Sequence, residues 1–353
     1  WCEQSWGPED LRNVHRLSRR QRTLLRETGI TTIADLAGAR DAQRPPRMAA
    51  ATYDRLREQA QAQTGSDAFA VIRPQPEATS LQSVPQQHPL DIYFDLEGDP
   101  FAAIPTLDYL WAYSDVSGDY HHVWAHSPEE EQRALDWLLD VLRTREAEGG
   151  DWHVYHYNTY EITSLRRVAD ANPEPSVRAE VDRFIEERFV DLYRTVESCL
   201  RTRDGSTSLK IIEKLAGYDR AKGADEDAVA RGDDSILEYE RFILSQSESD
   251  RSTILERIRA YNAHDVRATA AVHEWIVGLA ADLTEDDLIP SPDPYVPSDN
   301  VEERIRRTDE MISRLTDAAD AGPNLPSGLT QDGARLLAHM LRWHRAEMIV
   351  SFL

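Results

Sequence analysis

Residues 91–100 read Asp91-Ile92-Tyr93-Phe94-Asp95-Leu96-Glu97-Gly98-Asp99-Pro100. The apolar, aromatic run predicts a buried strand, yet Asp95 and Glu97 interrupt it. Alternate residues of a strand share a face, so the two carboxylates project together while Phe94 and Leu96 pack opposite. Gly98 and Pro100 are expected to end the strand at once, with Asp99 as a turn residue, leaving the carboxylates at an edge that a ligand can reach. Burying carboxylates is costly, and a bound cation is the usual compensation. Hard oxygen ligands suit Mg²⁺ or Mn²⁺. Alone, an Asp-x-Glu on an edge strand is a common chance pattern.

A second acidic phrase, Tyr261-Asn-Ala-His-Asp265, lies in a long helical pattern. Tyr261 and Asp265 stand at i and i+4 and share one helix face. From a helix packed on the sheet, Asp265 would reach the same cation, and Tyr261 would orient a water. The plainer reading is a core Tyr and a solvated Asp. His264 is a tempting base, but it falls on a different face from Tyr261 and reads as a bystander. Between the two phrases, Trp152–Leu165 runs from strand into helix, with Glu161 near the helix start. Glu161 is either a further carboxylate for the cation or a first-turn Glu stabilised by the helix dipole.

The surrounding pattern gives the fold class. Leu107–Ser114 and Tyr120–His126 are aromatic-rich strands around a turn at 115–119, a hairpin signal. Pro128–Glu148 is a helix with Glu129, Glu130 and Glu131 in its first turn and Leu135, Leu138, Leu139 and Leu142 on its core face. Trp152–Tyr157 is a fourth strand and Glu161–Ala171 a helix. Arg178–Leu200 is expected to continue helically. Ser208–Leu215 is a short helix, 219–234 a loop, and Ser235–Leu244 and Arg251–Ala280 are helices. This order predicts an α/β block over 91–280 with a mixed sheet flanked by helices. Tyr93, Trp111, Tyr113 and Trp124 read as core residues rather than stacking platforms for bases.

Residues 1–64 read as helical, 65–90 as a linker with one short strand at Phe69–Ile72, 281–300 as a proline-rich linker, and 301–353 as two polar helices around a Gly-Pro loop at 322–328. The phrase around Gly29 resembles a helix-hairpin-helix element, capped by Thr31 or Thr32, whose turn amides can meet a phosphate. Arg19, Arg20, Arg22 and Gly29 are therefore candidate nucleic-acid contacts. The alternative is a helix pair with a solvated basic face.

The 353-residue chain carries 63 acidic and 40 basic residues, a net charge of -23. Such a surface argues against coating nucleic acid by bulk charge, though a local groove with metals can still hold phosphates. Hydrophobic residues at 41% suffice for a sizeable core. Two distant cysteines, Cys2 and Cys199, form no disulfide framework, and the default is a cytoplasmic setting. No run of about 18 apolar residues predicts a membrane span. The chain starts Trp1-Cys2 and stops soon after a helical run, which reads as a piece of a longer polypeptide.

The three acidic segments, in this order, resemble the DEDD exonucleases of the ribonuclease H-like fold, the DnaQ-like group. Asp95 and Glu97 match the first motif. Tyr261 and Asp265 match the third motif of the tyrosine subclass; the histidine subclass would need His where Ala260 stands. The second motif's Asp is matched by Glu161, after Tyr160. Phe189–Tyr193, Ser208–Leu215 and Asp234–Tyr239 look like the YprB-type ribonuclease H-like domain of predicted RecB-family nucleases. Cys2 and Trp6 look like a remnant of the cysteine-bearing nuclease end that precedes the domain in longer members. Leu337–Glu347, with Trp343-His-Arg345, looks like the lead into a following superfamily-1 helicase, a C-terminal domain missing here.

The resemblance implies a 3′–5′ exonuclease, with single-stranded DNA favoured over RNA. Two Mg²⁺ or Mn²⁺ ions would be held by Asp95, Glu97, Glu161 and Asp265, and Tyr261 would position the water. Asp191 would be a supporting acid or a helix N-cap. The alternatives are a weakly active or inactive module that binds or scaffolds nucleic acid, and a structure-specific endonuclease.

Overall fold

The computed structural model describes residues 7–73, 80–99, 106–220, 232–282, 289–290, 300–320 and 330–350. The chain opens with α1 (Arg19–Glu27), α2 (Ile33–Ala37) and α3 (Ala50–Thr64). Ser18 and Thr32 each accept the amide of the residue three ahead, and Gln21 and Asp35 reciprocate. Such caps contribute about 1 kcal/mol each. Between the helices Gly29 takes φ +84°, which favours glycine. Leu11, Leu25, Ile30, Leu36, Tyr53 and Leu56 close a small core of their own. β1 (Phe69–Arg73) follows, at the strand expected within 65–90.

Next come β2 (Ile92–Asp99), β3 (Leu107–Asp115), β4 (Tyr120–Trp124), α4 (Pro128–Glu148), β5 (Val154–His156), α5 (Tyr160–Asp170) and α6 (Pro175–Arg188). Then β6 (Phe189–Asp191), α7 (Leu192–Cys199), β7 (Leu200–Thr202) and α8 (Leu209–Leu215) lead to α9 (Gly232–Leu244) and the long α10 (Glu248–Asp282). β8 (Ile289–Pro290), α11 (Asn300–Asp320) and α12 (Gln331–Val350) complete the described chain.

The main sheet has the order β4-β3-β2-β5-β6. β4, β3 and β2 pair antiparallel, while β2, β5 and β6 pair parallel. This is the mixed sheet expected from the sequence, with helices on both faces. The pleat of β2 divides the core. Phe94 and Leu96 pack with Leu135, Leu138 and Leu139 of α4, and Tyr93 packs on the other side with Tyr155, Val196 and Val266. Each such side chain contributes roughly 1.5–3 kcal/mol by leaving water. β1 lies between β7, antiparallel, and β8, parallel, in a smaller sheet.

Two expectations are corrected. Arg178–Leu200 is not one helix: α6 stops at Arg188, β6 pairs with β5, and α7 begins at Leu192. Three residues of strand are too few to break a helical period in sequence, and pairing with the sheet decides their conformation. Residues 219–234 are not loop throughout, since α9 already starts at Gly232. Cys2, Trp6 and the 322–328 loop lie outside the described residues. No helix among the described residues is long and apolar enough to cross a membrane.

Candidate metal centre

β2 and α10 build the site together. α10 crosses the face of the sheet opposite α4. Its Ile254, Ile258, Tyr261, Asn262, Val266, Thr269, Val272 and Ile276 recur at helical spacing and are buried. That spacing sets Asp265 above the two β2 carboxylates. Asp95, Glu97 and Asp265 each offer an oxygen within 4.8 Å of the others. Neutral donors hold the β2 pair in place. Asn262 Nδ2 donates to Asp95 Oδ2 at 2.7 Å, and its own carbonyl accepts from Tyr120 Oη at 2.8 Å. Ser235 of α9 donates to Glu97 Oε2 at 2.8 Å and meets Tyr109 Oη at 2.7 Å.

Crowding raises the proton affinity of these acids. Burial, then the charges of Asp265, Glu161 and Glu97, push Asp95 well above the carboxylate range. Burial, then Asp265, push Glu97 up to about 8, although Ser235, Asn262 and Lys210 pull the other way. Converging oxygen ligands that repel one another without a cation suit a hard divalent ion.

Glu161 sits in the first turn of α5 and is 3% exposed. Its negative charge is among the causes that raise the Asp95 pKa, so the fourth acid stands beside the cluster. Its Oε2 lies 3.4 Å from His156 Nδ1, and neither atom has a hydrogen-bond partner among the described residues. An orphaned, buried carboxylate oxygen beside the cluster is a second observation that fits a cation there. The turn into α5 is tightly held: Asn158 takes φ +91°, and its amide donates to Asp191 Oδ1 at 2.9 Å. The same Asp191 oxygen accepts from Tyr193 N at 3.0 Å, so Asp191 caps α7.

Tyr261 is 5% exposed, one turn before Asp265. Burial, then the charges of Asp265 and Glu97, push its hydroxyl pKa far up, so the proton stays on. Two cations lie over its ring: Lys210 Nζ at 5.1 Å and Arg220 Cζ at 5.7 Å from the centroid. Arg220 grips buried Glu213 with two bonds of 2.6 Å, from Nε and Nη2. Its Nη2 also donates to Asp265 Oδ1.

Other sequence candidates fall elsewhere. His264 Nδ1 lies 2.8 Å from Tyr218 Oη. Asp99 is a buried end residue of β2 rather than a turn residue. A register shift after Glu97 lets the strand run two residues further than expected. Tyr93, Trp111 and Tyr113 are buried, and Trp124 packs beside Tyr109 and Tyr239. Arg19, Arg20 and Gly29 are exposed and Arg22 half-buried on the N-terminal helices. The turn amides there are committed: Thr31 N and Thr32 N donate to Asp35 Oδ2 at 3.0 and 2.9 Å, while Gly29, Ile30 and Ile33 donate to backbone carbonyls. A phosphate at that turn would have to displace the Asp35 carboxylate.

Asn262, Ser235, His156, Lys210, Glu213 and Arg220 escaped the sequence reading. Only Asn262 carried a signal, since it stands inside the Tyr261–Asp265 phrase.

The RNase_H_2 family model of the RNase H superfamily matches residues 92–277, more than half of the chain. The chain belongs to the RNase H superfamily. Comparison with curated proteins and with solved structures returns no match. The matched span begins at the first residue of β2 and ends within α10, so it takes in all four clustered acids and Tyr261. Membership in the RNase H superfamily supports nuclease-type phosphodiester hydrolysis and nucleic-acid binding. It also agrees with a divalent cation at the Asp95, Glu97 and Asp265 cluster.

Proposed function

We propose that the chain is a metal-dependent 3′–5′ exonuclease acting on nucleic acid, with DNA favoured, and a module of a larger nuclease-helicase. The observation that carries this reading is the convergence of Asp95, Glu97 and Asp265, with the charge of buried Glu161 acting on Asp95. These four side chains would hold two Mg²⁺ or Mn²⁺ ions. When bound, the ions supply a water of lowered pKa and neutralise charge on the leaving 3′ oxygen.

The residues of the chain have separable tasks. Asn262 and Ser235 keep the two β2 carboxylates aimed at the cluster. Tyr261, held protonated, donates to the attacking water and orients its lone pair toward phosphorus. The water oxygen bonds to phosphorus, the P–O3′ bond breaks, and a proton goes to the leaving 3′ oxygen. The products are a nucleoside 5′-monophosphate and a strand shorter by one residue.

The test is incubation of the purified chain with 5′-labelled single-stranded DNA and RNA in Mg²⁺ or Mn²⁺, beside Asp95→Ala. A ladder shortening from the 3′ end that is lost in the variant supports the reading. Binding without cleavage would overturn it in favour of a nucleic-acid-binding module. Internal cuts in circular DNA would overturn it in favour of a structure-specific endonuclease.

A further inference from the structure

The acidic balance of the chain poses a problem for an anionic substrate. A phosphodiester approaching four clustered carboxylates needs a local positive charge as well as any metal. Two cations stand at that place. Arg220 and Lys210 both lie against the ring of Tyr261, and the Lys210 ammonium is close enough to Glu97 to lower its pKa. Arg220 is anchored in advance by Glu213, whose side chain is 3% exposed. That anchor uses Nε and Nη2, and the contact to Asp265 again uses Nη2, so Nη1 takes part in none of these bonds.

We propose that Arg220, fixed by Glu213, binds the phosphate of the nucleotide to be removed through Nη1, with Lys210, at the same Tyr261 ring, as its partner. This rests on the nuclease reading above. The ligand class is a non-bridging phosphate oxygen of a single strand, recognised without regard to the base. Glu213 supplies preorganisation: a guanidinium already paired on one edge loses little freedom when the other edge meets a phosphate. The bond to Asp265 occupies only Oδ1 and couples the clamp to the metal cluster. Neither Arg220 nor Lys210 falls in the acidic motifs, and the ionic pairing of Arg220 with Glu213 makes a purely structural salt bridge the competing account.

The salt dependence of binding separates the two. Binding of a short fluorescent single-stranded DNA is followed by anisotropy across a range of KCl concentrations, with Ca²⁺ as the only divalent ion. Arg220→Gln is expected to weaken binding roughly ten- to a hundredfold, equally for different base sequences. The slope of log K against log salt should become shallower by about 0.7, the loss of one phosphate contact on a single strand. Arg220→Lys should restore the slope, and the double variant Arg220→Gln/Glu213→Gln, which leaves no buried unpaired carboxylate, should show the same loss as Arg220→Gln. Mn²⁺ binding, read by electron paramagnetic resonance, should persist in all three. An unchanged slope in a folded Arg220→Gln protein overturns the phosphate role and leaves the salt bridge as structural. If the unaltered chain neither binds nor cuts DNA, the nuclease reading itself has failed, which is a different result.

Discussion

Asn262 Nδ2 donates to Asp95 Oδ2 at 2.7 Å, joining α10 to β2 at the centre of the acidic cluster. Tyr120 fixes the orientation of that amide by donating to its oxygen at 2.8 Å. Asn262 is fully buried, so truncation leaves both partners unsatisfied. Asn262→Ala should therefore cost about 1–3 kcal/mol of stability. It should also weaken Mn²⁺ binding, because Asp95 is no longer aimed. Denaturant titration and calorimetric Mn²⁺ titration measure the two effects separately.

Glu97 makes the metal-free protein sensitive to pH. Its folded pKa of about 8 exceeds the ordinary 4.5. Between those values the folded state keeps a proton that the unfolded chain releases. Stability therefore falls as pH rises through that window, and the full contribution is present only below it. Glu97→Gln should flatten this part of the profile. Mn²⁺ should take over the role of the proton, so the rise in Tm on adding Mn²⁺ should be larger at pH 8 than at pH 6. Thermal melts of both proteins in the two buffers decide this.

Gly98 is required by a close approach. A Cβ there would overlap Tyr160 Oη and Asp108 Oδ1. Those two atoms are hydrogen-bonded at 2.6 Å, and Asp108 is also paired with Arg167, which binds Glu131. Gly98→Ala should force this network apart beside Glu97 and Glu161. An overpacking cost of about 1–3 kcal/mol is expected. Cleavage should fall with it, and Gly98→Ala/Tyr160→Phe should recover part of the stability in denaturant titrations.

Glu161 distinguishes a complete site from a partial one. Glu161→Gln keeps the volume and removes the charge, so it should lower Mn²⁺ stoichiometry while leaving the fold intact. His156→Ala should have a smaller effect, since His156 touches only Glu161 among the four acids. Stoichiometry by electron paramagnetic resonance and the far-ultraviolet circular dichroism spectrum are the readouts.

Much of this was legible in sequence because it is periodic. The two-residue alternation of β2 and the helical spacing of α10 announce which side chains share a face, and α4 was bounded at Pro128 and Glu148 by its cap and composition. What was not legible depends on contacts between segments far apart in the chain. β6 exists because β5 pairs with it, not because of its three residues. Ser235 reaches Glu97, and Arg220 reaches Asp265, across folds of the backbone that no local pattern encodes. The commitment of the Thr31 and Thr32 amides to Asp35, three residues after the cap, is another such contact, which shows only in three dimensions.

The most direct test of the central claim is anomalous diffraction at the manganese edge from crystals of the chain equilibrated with Mn²⁺. The account predicts peaks liganded by Asp95, Glu97 and Asp265, with a second ion in contact with Glu161. A protein that takes up Mn²⁺ but shows no peak at these carboxylates would contradict it.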